Sequence, residues 1–259
     1  MPLASLISTY KMKFPFVLNV PLLTLIGFVA VICPVRADDL ATNLEPKVVE
    51  AVSKSDTDQE KRAAVWVASL NLNDAAKEAR VTAVITAHLN AIRDWHNNHS
   101  YTNVPSGINP TTGKALSVLD REVIADSAIP KSVHQNLMAG LRKDLTPEQV
   151  ETILDKYTVG KVEFTMTGYH AIVSDMTTEE EKTILGNLKQ AREQAVDYKN
   201  MQQISAIFKI YKTQCEQYLN SNGRDWHKLY KTYVDSVLAK KAAAKQAGAA
   251  STNSVAMPE

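Results

Sequence analysis

The residues of this sequence that could do chemistry lie closest together in the segment Asp94-Trp95-His96-Asn97-Asn98-His99. His96 and His99 are three positions apart, so they would share one face of a continuing helix, and Asp94 could add a carboxylate. The segment lacks the glutamate of the His-Glu-x-x-His metalloprotease motif, and we expect no metal site. Two interpretations stay open: a ligand-binding cluster, or a helix end whose histidines favour the C-terminal dipole while Trp95 packs in the core.

Two other positions join this cluster as candidates for ligand binding. Tyr169-His170 follows Gly168, where an aromatic ring beside an imidazole could line a pocket or lie in a surface turn. Arg192 lies at the edge of an apolar stripe, where it could form an ion pair between helices or contact an anion or a sugar. The complete set of candidate ligand-binding residues is Trp95, His96, His99, Tyr169, His170 and Arg192, with a pocket expected near Trp95, His96, Tyr169 and Arg192.

The remaining reactive side chains have simpler explanations. His88 and His134 lie on apolar helix faces, as satisfied core histidines do, and Cys215 lies on an apolar stripe, as a buried and inert thiol does. The sequence contains no nucleophile elbow, Walker loop, dinucleotide-binding glycine motif or paired Cys-x-x-Cys. It therefore assigns no catalytic residue, indicates no cofactor and leaves open whether the protein is an enzyme.

The elements that must position these residues are mostly helices. Apolar side chains recur at helical spacing along most of the chain, and glycine is scarce, at 9 residues. The stripes begin near Val81, Val133, Ile184, Ile204 and Trp226. This pattern predicts an all-α fold, a bundle of about five to seven helices facing a common core.

Two helix starts are marked by capping chemistry. Thr146 precedes Pro147 and lies three positions before Gln149, as in a capping box with proline at the first helical position. Thr177 and Glu180 repeat the cap and its partner, without the proline. We expect a helix to begin after each threonine.

Two regions interrupt the helical pattern. Residues 99–114 contain four Gly and Pro residues among Asn, Thr and Ser, which predicts one long loop. In residues 159–167, apolar and polar side chains alternate and several residues are β-branched, which predicts a short extended segment. The expected organisation is an N-terminal linker and short helix at 38–57, a helical domain at 58–239 and a disordered tail at 240–259.

The N-terminal 37 residues have the layout of a secretory signal peptide. Lys11 and Lys13 precede a long apolar run that ends at Val35-Arg36-Ala37, so we expect cleavage after Ala37 and a periplasmic or secreted protein. An uncleaved N-terminal anchor is the alternative, and Met12 is a second possible start. Removing 1–37 changes the formal net charge from +1 to −2. This charge indicates neither nucleic acid nor, beyond the signal segment, a membrane as a partner.

Several segments together resemble a family of secreted bacterial proteins that is catalogued as a domain of unknown function. They are Arg80 to His96, Tyr157 to Tyr169, Met176 to Lys182, Ala191 to Ala195 and Tyr211 to Gly223, which keep their order along the chain. Members of that family often occur in polysaccharide-degrading bacteria. The resemblance implies export and a helical domain, and it carries over no catalytic residue.

A second resemblance is to periplasmic stress chaperones that carry a Leu-Thr-x-x-Gln motif. Leu145-Thr146-Pro147-Glu148-Gln149 fits the motif, which is also a general capping box. Three hypotheses arise: a non-catalytic binding or accessory protein linked to glycan use, an enzyme acting on polysaccharide, and a chaperone-like protein. The expected partner is a carbohydrate or another small ligand, and the sequence does not indicate the oligomeric state.

Overall fold

The computed structural model describes residues 46–110 and 112–253, with side chains at 50–110 and 112–244. The signal peptide predicted at 1–37 lies outside the described residues, as do residues 38–45 of the linker and short helix expected at 38–57. The described part of the chain contains nine α-helices and a short 3-10 helix at Tyr101–Asn103. The α-helices are α1 (Pro46–Ala68), α2 (Ala75–Asn98), α3 (Val118–Asp126), α4 (Lys131–Asp144), α5 (Pro147–Tyr157), α6 (Lys161–Ile172), α7 (Thr178–Ala195), α8 (Met201–Ser221) and α9 (Trp226–Asn253).

The all-α prediction is confirmed, but the predicted count of five to seven helices is too low. The extended segment predicted at 159–167 is also wrong, because Val159 and Gly160 form a left-handed turn and α6 begins at Lys161. Val162, Met166 and Tyr169 form one buried stripe of α6, so tertiary packing outweighs the strand preference of the β-branched residues. The long loop between α2 and α3 is present.

Local capping chemistry explains where several helices begin. The side chains of Thr146 and Thr177 accept hydrogen bonds from the backbone N–H of Gln149 and Glu180, whose side chains in turn accept from the threonine backbone. Both predicted capping boxes are therefore confirmed. Asp74 caps α2 by accepting from the backbone N–H of Lys77.

The helices form two hydrophobic cores. The first joins α1, α2, α4 and α5 around side chains such as Val81, Ile85 and Leu141, and the second joins α6, α7 and α8 around side chains such as Ile184 and Ile207. Leu, Ile and Val side chains with almost no exposed surface fill both cores. Their burial supplies most of the favourable free energy of folding.

The segment that joins α7 to α8 passes from one core to the other. Val196 belongs to the first core and Tyr198 to the second, and Asp197 lies between them. A carboxylate at this position needs hydrogen-bond partners, because burying an unpaired charge is costly. The candidate site is built around that carboxylate.

Helices α2 and α4 pack closely against each other at a glycine of α4. An added Cβ at Gly140 would lie 2.7 Å from both Cγ atoms of Val84 on α2. The absence of a side chain at this position therefore allows the two helices to approach.

Among the described helices, none combines the length and hydropathy that crossing a membrane would require.

Candidate functional site

An open cleft lies where the connection between α3 and α4 faces α7 and α8. Its volume is about 490 Å³, within the range of small-molecule sites. Three carboxylates, one histidine, one lysine, several amides and two tyrosines line it: Asp126, Glu193, Asp197, His134, Lys131, Gln135, Gln190, Gln194, Tyr198 and Tyr211. We call it the histidine–carboxylate cleft.

Asp197 holds two histidines from different helices. Nε2 of His88, from α2, lies 3.0 Å from Oδ1, and Nδ1 of His134, from α4, lies 3.0 Å from Oδ2. Burial raises the pKa of Asp197, but the hydrogen bonds from both histidines outweigh it, so the pKa lies below its ordinary value. Asp197 is therefore an ionised acceptor at neutral pH.

The two histidines have different environments. His88 is buried, donates from Nε2 to Asp197 and can accept at Nδ1 from the hydroxyl of Tyr157, 3.2 Å away. His134 is partly exposed, and its Nε2 lies 3.7 Å from Oε1 of Glu193. The hydrogen bond to Asp197 raises the pKa of His134 above its ordinary value, so the cleft carries a readily protonated imidazole.

A second carboxylate, Asp126 at the end of α3, is almost fully buried. Its Oδ2 accepts from Nδ1 of His96 at 2.7 Å and from Nε2 of Gln203 at 2.5 Å. Its Oδ1 is buried, and no described residue donates to it; the same is true of Oε1 of Gln203. Buried acceptors of this kind normally have a donor, because leaving one unsatisfied costs about 1–3 kcal/mol.

Tyr198 lines the cleft together with the two carboxylates. Burial, followed by the charges of Asp197 and Asp126, raises the pKa of Tyr198 to about 12. Its phenol therefore stays protonated at neutral pH. The cleft combines carboxylates with this tyrosine and with amides that can both donate and accept.

This arrangement suits the binding of hydrogen-bond donors and the transfer of a proton. The carboxylates of Asp126, Asp197 and Glu193 accept, and His134 can donate from Nε2 when protonated. The described residues contain no group of three His, Cys, Asp or Glu side chains arranged to hold a metal ion.

The three candidate residues at the end of α2 lie beside the cleft, close to its Asp126 wall. His96 hydrogen-bonds to Asp126, and Nε1 of Trp95 donates to the carbonyl of Ala125 at 3.2 Å. His99 stacks on Trp95 with ring centroids 3.5 Å apart. None of the three is in the lining of the cleft, and His96 reaches it only through Asp126.

The other three candidates lie apart from that group. Tyr169 is buried against Trp226, and His170 is exposed, with Nε2 3.5 Å from Oε1 of Glu181. Arg192 is buried and pairs with Glu151 and Asp155 of α5, the inter-helix ion pair that was one of its two interpretations. His96 and Arg192 line neither the histidine–carboxylate cleft nor the cavity that Tyr169 lines.

Sequence reasoning did not place the side chains at the centre of the cleft, Asp126, His134, Glu193 and Asp197, in one site. His134 was interpreted as a core histidine and Glu193 as a member of an ion pair at the edge of an apolar stripe, while Asp126 and Asp197 have no motif around them. One usable signal existed: Asp197 lies between Val196 and Tyr198, and a carboxylate within an apolar sequence is one that the fold must pair.

The comparison with protein families agrees with the resemblance in the sequence. The model of a family described as a protein of unknown function, DUF3826, matches residues 56–239. The chain belongs to this family. The matched residues include every lining residue of the histidine–carboxylate cleft. No curated protein matches the chain.

Proposed function

We propose that the protein is a non-catalytic binding protein whose histidine–carboxylate cleft takes a small, hydroxyl-rich ligand of the saccharide class. The observation that carries the proposal is the hydrogen-bonding lining of one open cleft, in which the partly exposed side chains of His134 and Glu193 stand beside three glutamines. Ligand hydroxyls can donate to the carboxylate of Glu193 and can both donate to and accept from the glutamine amides.

The composition of the cleft supports a saccharide over a charged ligand. Carboxylates accept from neighbouring hydroxyls, amides both donate and accept, and Tyr198 and Tyr211 supply ring surface. The carboxylates of Asp126, Glu193 and Asp197 would repel an anion. A simple cation would make no use of the hydrogen-bond donors of the amides and of His134.

A thermal-shift screen of the purified protein tests this proposal. The panel contains neutral oligosaccharides, uronic acids, a polyamine and divalent metal ions. A ligand at 100 times its dissociation constant stabilises the folded protein by about 2.7 kcal/mol. We expect a rise in Tm with a neutral saccharide, whereas stabilisation by the polyamine alone would contradict the proposal.

The matched variants are Glu193→Gln and Glu179→Gln, both on α7. Glu193 lines the cleft and is half exposed, so its substitution changes the cleft with little effect on folding. Glu179 is exposed and outside the cleft. The saccharide-dependent shift should shrink in Glu193→Gln and persist in Glu179→Gln.

A second function, acid–base catalysis on a bound polysaccharide, is favoured by the pair of His134 and Asp197. A histidine fixed at Nδ1 by a carboxylate, with Nε2 toward an open cleft, is a common general acid or base. Incubating the protein with polysaccharides and measuring released reducing ends tests this function. Product formation that His134→Gln abolishes, while saccharide binding persists, would favour the enzyme over the binding protein.

We also propose that the protein is exported, with its N-terminal segment removed after Ala37. The basic residues, the apolar run and the small residues before the cleavage position support this proposal. N-terminal sequencing of the protein from a cell fraction outside the cytosol should begin at Asp38.

The chaperone hypothesis stays a prediction. It is tested by measuring whether the protein suppresses the aggregation of an unfolded client protein.

A further inference from the structure

A second cavity lies between α6, α8 and α9, on the other hydrophobic core. Its volume is about 590 Å³, and it shares no lining residue with the histidine–carboxylate cleft. Five of its lining side chains are aromatic: Phe164, Tyr169, Trp226, Tyr230 and Tyr233. We call it the aromatic groove.

Two of these rings are unusually exposed for their size. Phe164 is 79% exposed and Tyr230 is 51% exposed, and both line the groove. Large exposed apolar side chains that are grouped together mark interaction sites more often than isolated ones do.

Trp226 and Tyr230, one helical turn apart on α9, stack in the wall of the groove. Their centroids are 6.0 Å apart and their planes differ by 27°, and the ring of Tyr169 lies 5.3 Å from that of Trp226. The hydroxyl of Tyr169 donates to the backbone carbonyl of Lys212, which fixes that ring. The wall is therefore a preformed surface for stacking.

The opposite side of the groove carries a polar pair one helical turn apart, Lys212 and Glu216 of α8. Glu216 is partly buried, and among the described residues only the charge of Lys212 acts on its carboxyl group, with no hydrogen bond to it. Burial raises its pKa above the ordinary value, with the charge of Lys212 opposing that effect. A partly buried carboxyl group without a hydrogen-bond partner suits a ligand that donates a hydrogen bond.

We propose that the aromatic groove is a second saccharide-binding site, in which sugar rings stack on Trp226 and Tyr230 and their hydroxyls hydrogen-bond to Glu216 and Lys212. A sugar ring has an apolar face and a hydroxyl edge, and the groove presents aromatic rings on one side and hydrogen-bonding groups on the other. A nucleotide could also stack on these rings, but the negative charge of its phosphates would be repelled by the carboxyl group of Glu216. An apolar peptide would leave Glu216 buried without a partner.

This proposal shares a ligand class with the proposed function but depends on different residues. Glu193→Gln alters only the histidine–carboxylate cleft, and Tyr230→Ala alters only the aromatic groove. If the groove fails to bind saccharides, the cleft is unaffected, and the converse also holds. Measuring both variants distinguishes the two failures.

Intrinsic tryptophan fluorescence of the full chain, titrated with cellohexaose, xylohexaose, mannohexaose and laminarihexaose, tests the proposal. A stacked sugar should change the emission of Trp226, and Trp226→Phe should remove that change while keeping an aromatic ring. Phe164→Ala and Tyr230→Ala should weaken the affinity at least about tenfold, since aromatic anchors dominate binding. Both side chains are exposed, so both variants should fold.

The controls are Val65→Ala and Glu193→Gln. Val65 is 68% exposed on α1 and lies outside the groove, so its substitution should leave the titration unchanged. Glu193→Gln should also retain the Trp226 signal. No fluorescence change with any of the four glycans, or equal affinity in Tyr230→Ala and wild type, would overturn the proposal. Binding of phosphatidylcholine vesicles in place of the glycans, lost in Phe164→Ala, would also overturn it.

Discussion

Nδ1 of His134 donates to the carboxylate of Asp197, which lies 3.0 Å away on the segment that joins the two hydrophobic cores. The same carboxylate accepts from His88, so one side chain links α2 and α4 to the connection between α7 and α8. This link has consequences for stability as well as for binding.

Replacing Asp197 should destabilise the protein. Asp197→Ala leaves Nε2 of buried His88 without an acceptor, and we expect a loss of about 1–3 kcal/mol in the free energy of unfolding. Chemical denaturation of wild type, Asp197→Ala and the control variant Asp235→Ala measures this loss. Asp235 forms an exposed ion pair with Lys231, whose loss should cost less than about 1 kcal/mol. Equal losses in both variants would contradict the role given to Asp197.

The stability of the protein should depend on the protonation of His134. Its pKa is raised in the folded state, so protonated His134 contributes stability below its ordinary value of 6.5, and that contribution is lost as the pH rises through the folded value. Thermal unfolding between pH 6 and pH 9 should show Tm falling with pH. His134→Gln should flatten this fall, and an unchanged slope would show that His134 is not its source.

The ion pair of Glu180 with Arg224 should make the protein sensitive to acid. The hydrogen bond from Arg224, opposed by burial, lowers the pKa of Glu180 to about 2, so its contribution is complete above the ordinary value of 4.5 and is lost on acidification toward pH 2. At neutral pH, Glu180→Gln should lower the free energy of unfolding by about 1–3 kcal/mol relative to wild type. On acidification, the free energy of unfolding should fall less in Glu180→Gln than in wild type. Denaturation at pH 7 and pH 3 measures both, with the exposed neighbour Glu179→Gln as the control.

Two helical glycines should respond oppositely to alanine. An added Cβ at Gly140 meets Val84 at 2.7 Å, so Gly140→Ala should destabilise by about 1–3 kcal/mol despite the better helix propensity of alanine. At Gly186 in α7 no atom beyond the adjoining residues and the backbone of α7 lies within 4 Å of the added Cβ, so Gly186→Ala should stabilise by up to about 1 kcal/mol. Melting temperatures of the pair test the packing of α2 against α4. A stabilised Gly140→Ala variant would contradict that packing.

Features that arise from neighbouring residues were predictable from the sequence. The starts of α5 and α7 follow from Thr146 and Thr177, because a capping box is complete within four residues. The helix count was low partly because α1 and α3 bury few side chains, and α6 was missed because its β-branched residues resemble a strand. In each case packing against distant residues decides the outcome.

The candidate site was much less predictable. His134 and Asp197 are 63 positions apart, and Asp126 and Gln203 are 77 positions apart, so neither pair leaves a local pattern. His96 was identified by its neighbours, yet its importance lies in its contact with Asp126. A site assembled from helix ends and one connecting segment depends on the tertiary fold, which no short motif records.

The central claim is that the histidine–carboxylate cleft binds a saccharide, and calorimetric titration of wild type, Glu193→Gln and Glu179→Gln with the best neutral oligosaccharide tests it most directly. We predict binding to wild type and Glu179→Gln with the same dissociation constant, and binding weaker by about tenfold in Glu193→Gln, which corresponds to about 1.4 kcal/mol. The same affinity in all three proteins, or no heat of binding from any of them, would contradict the claim.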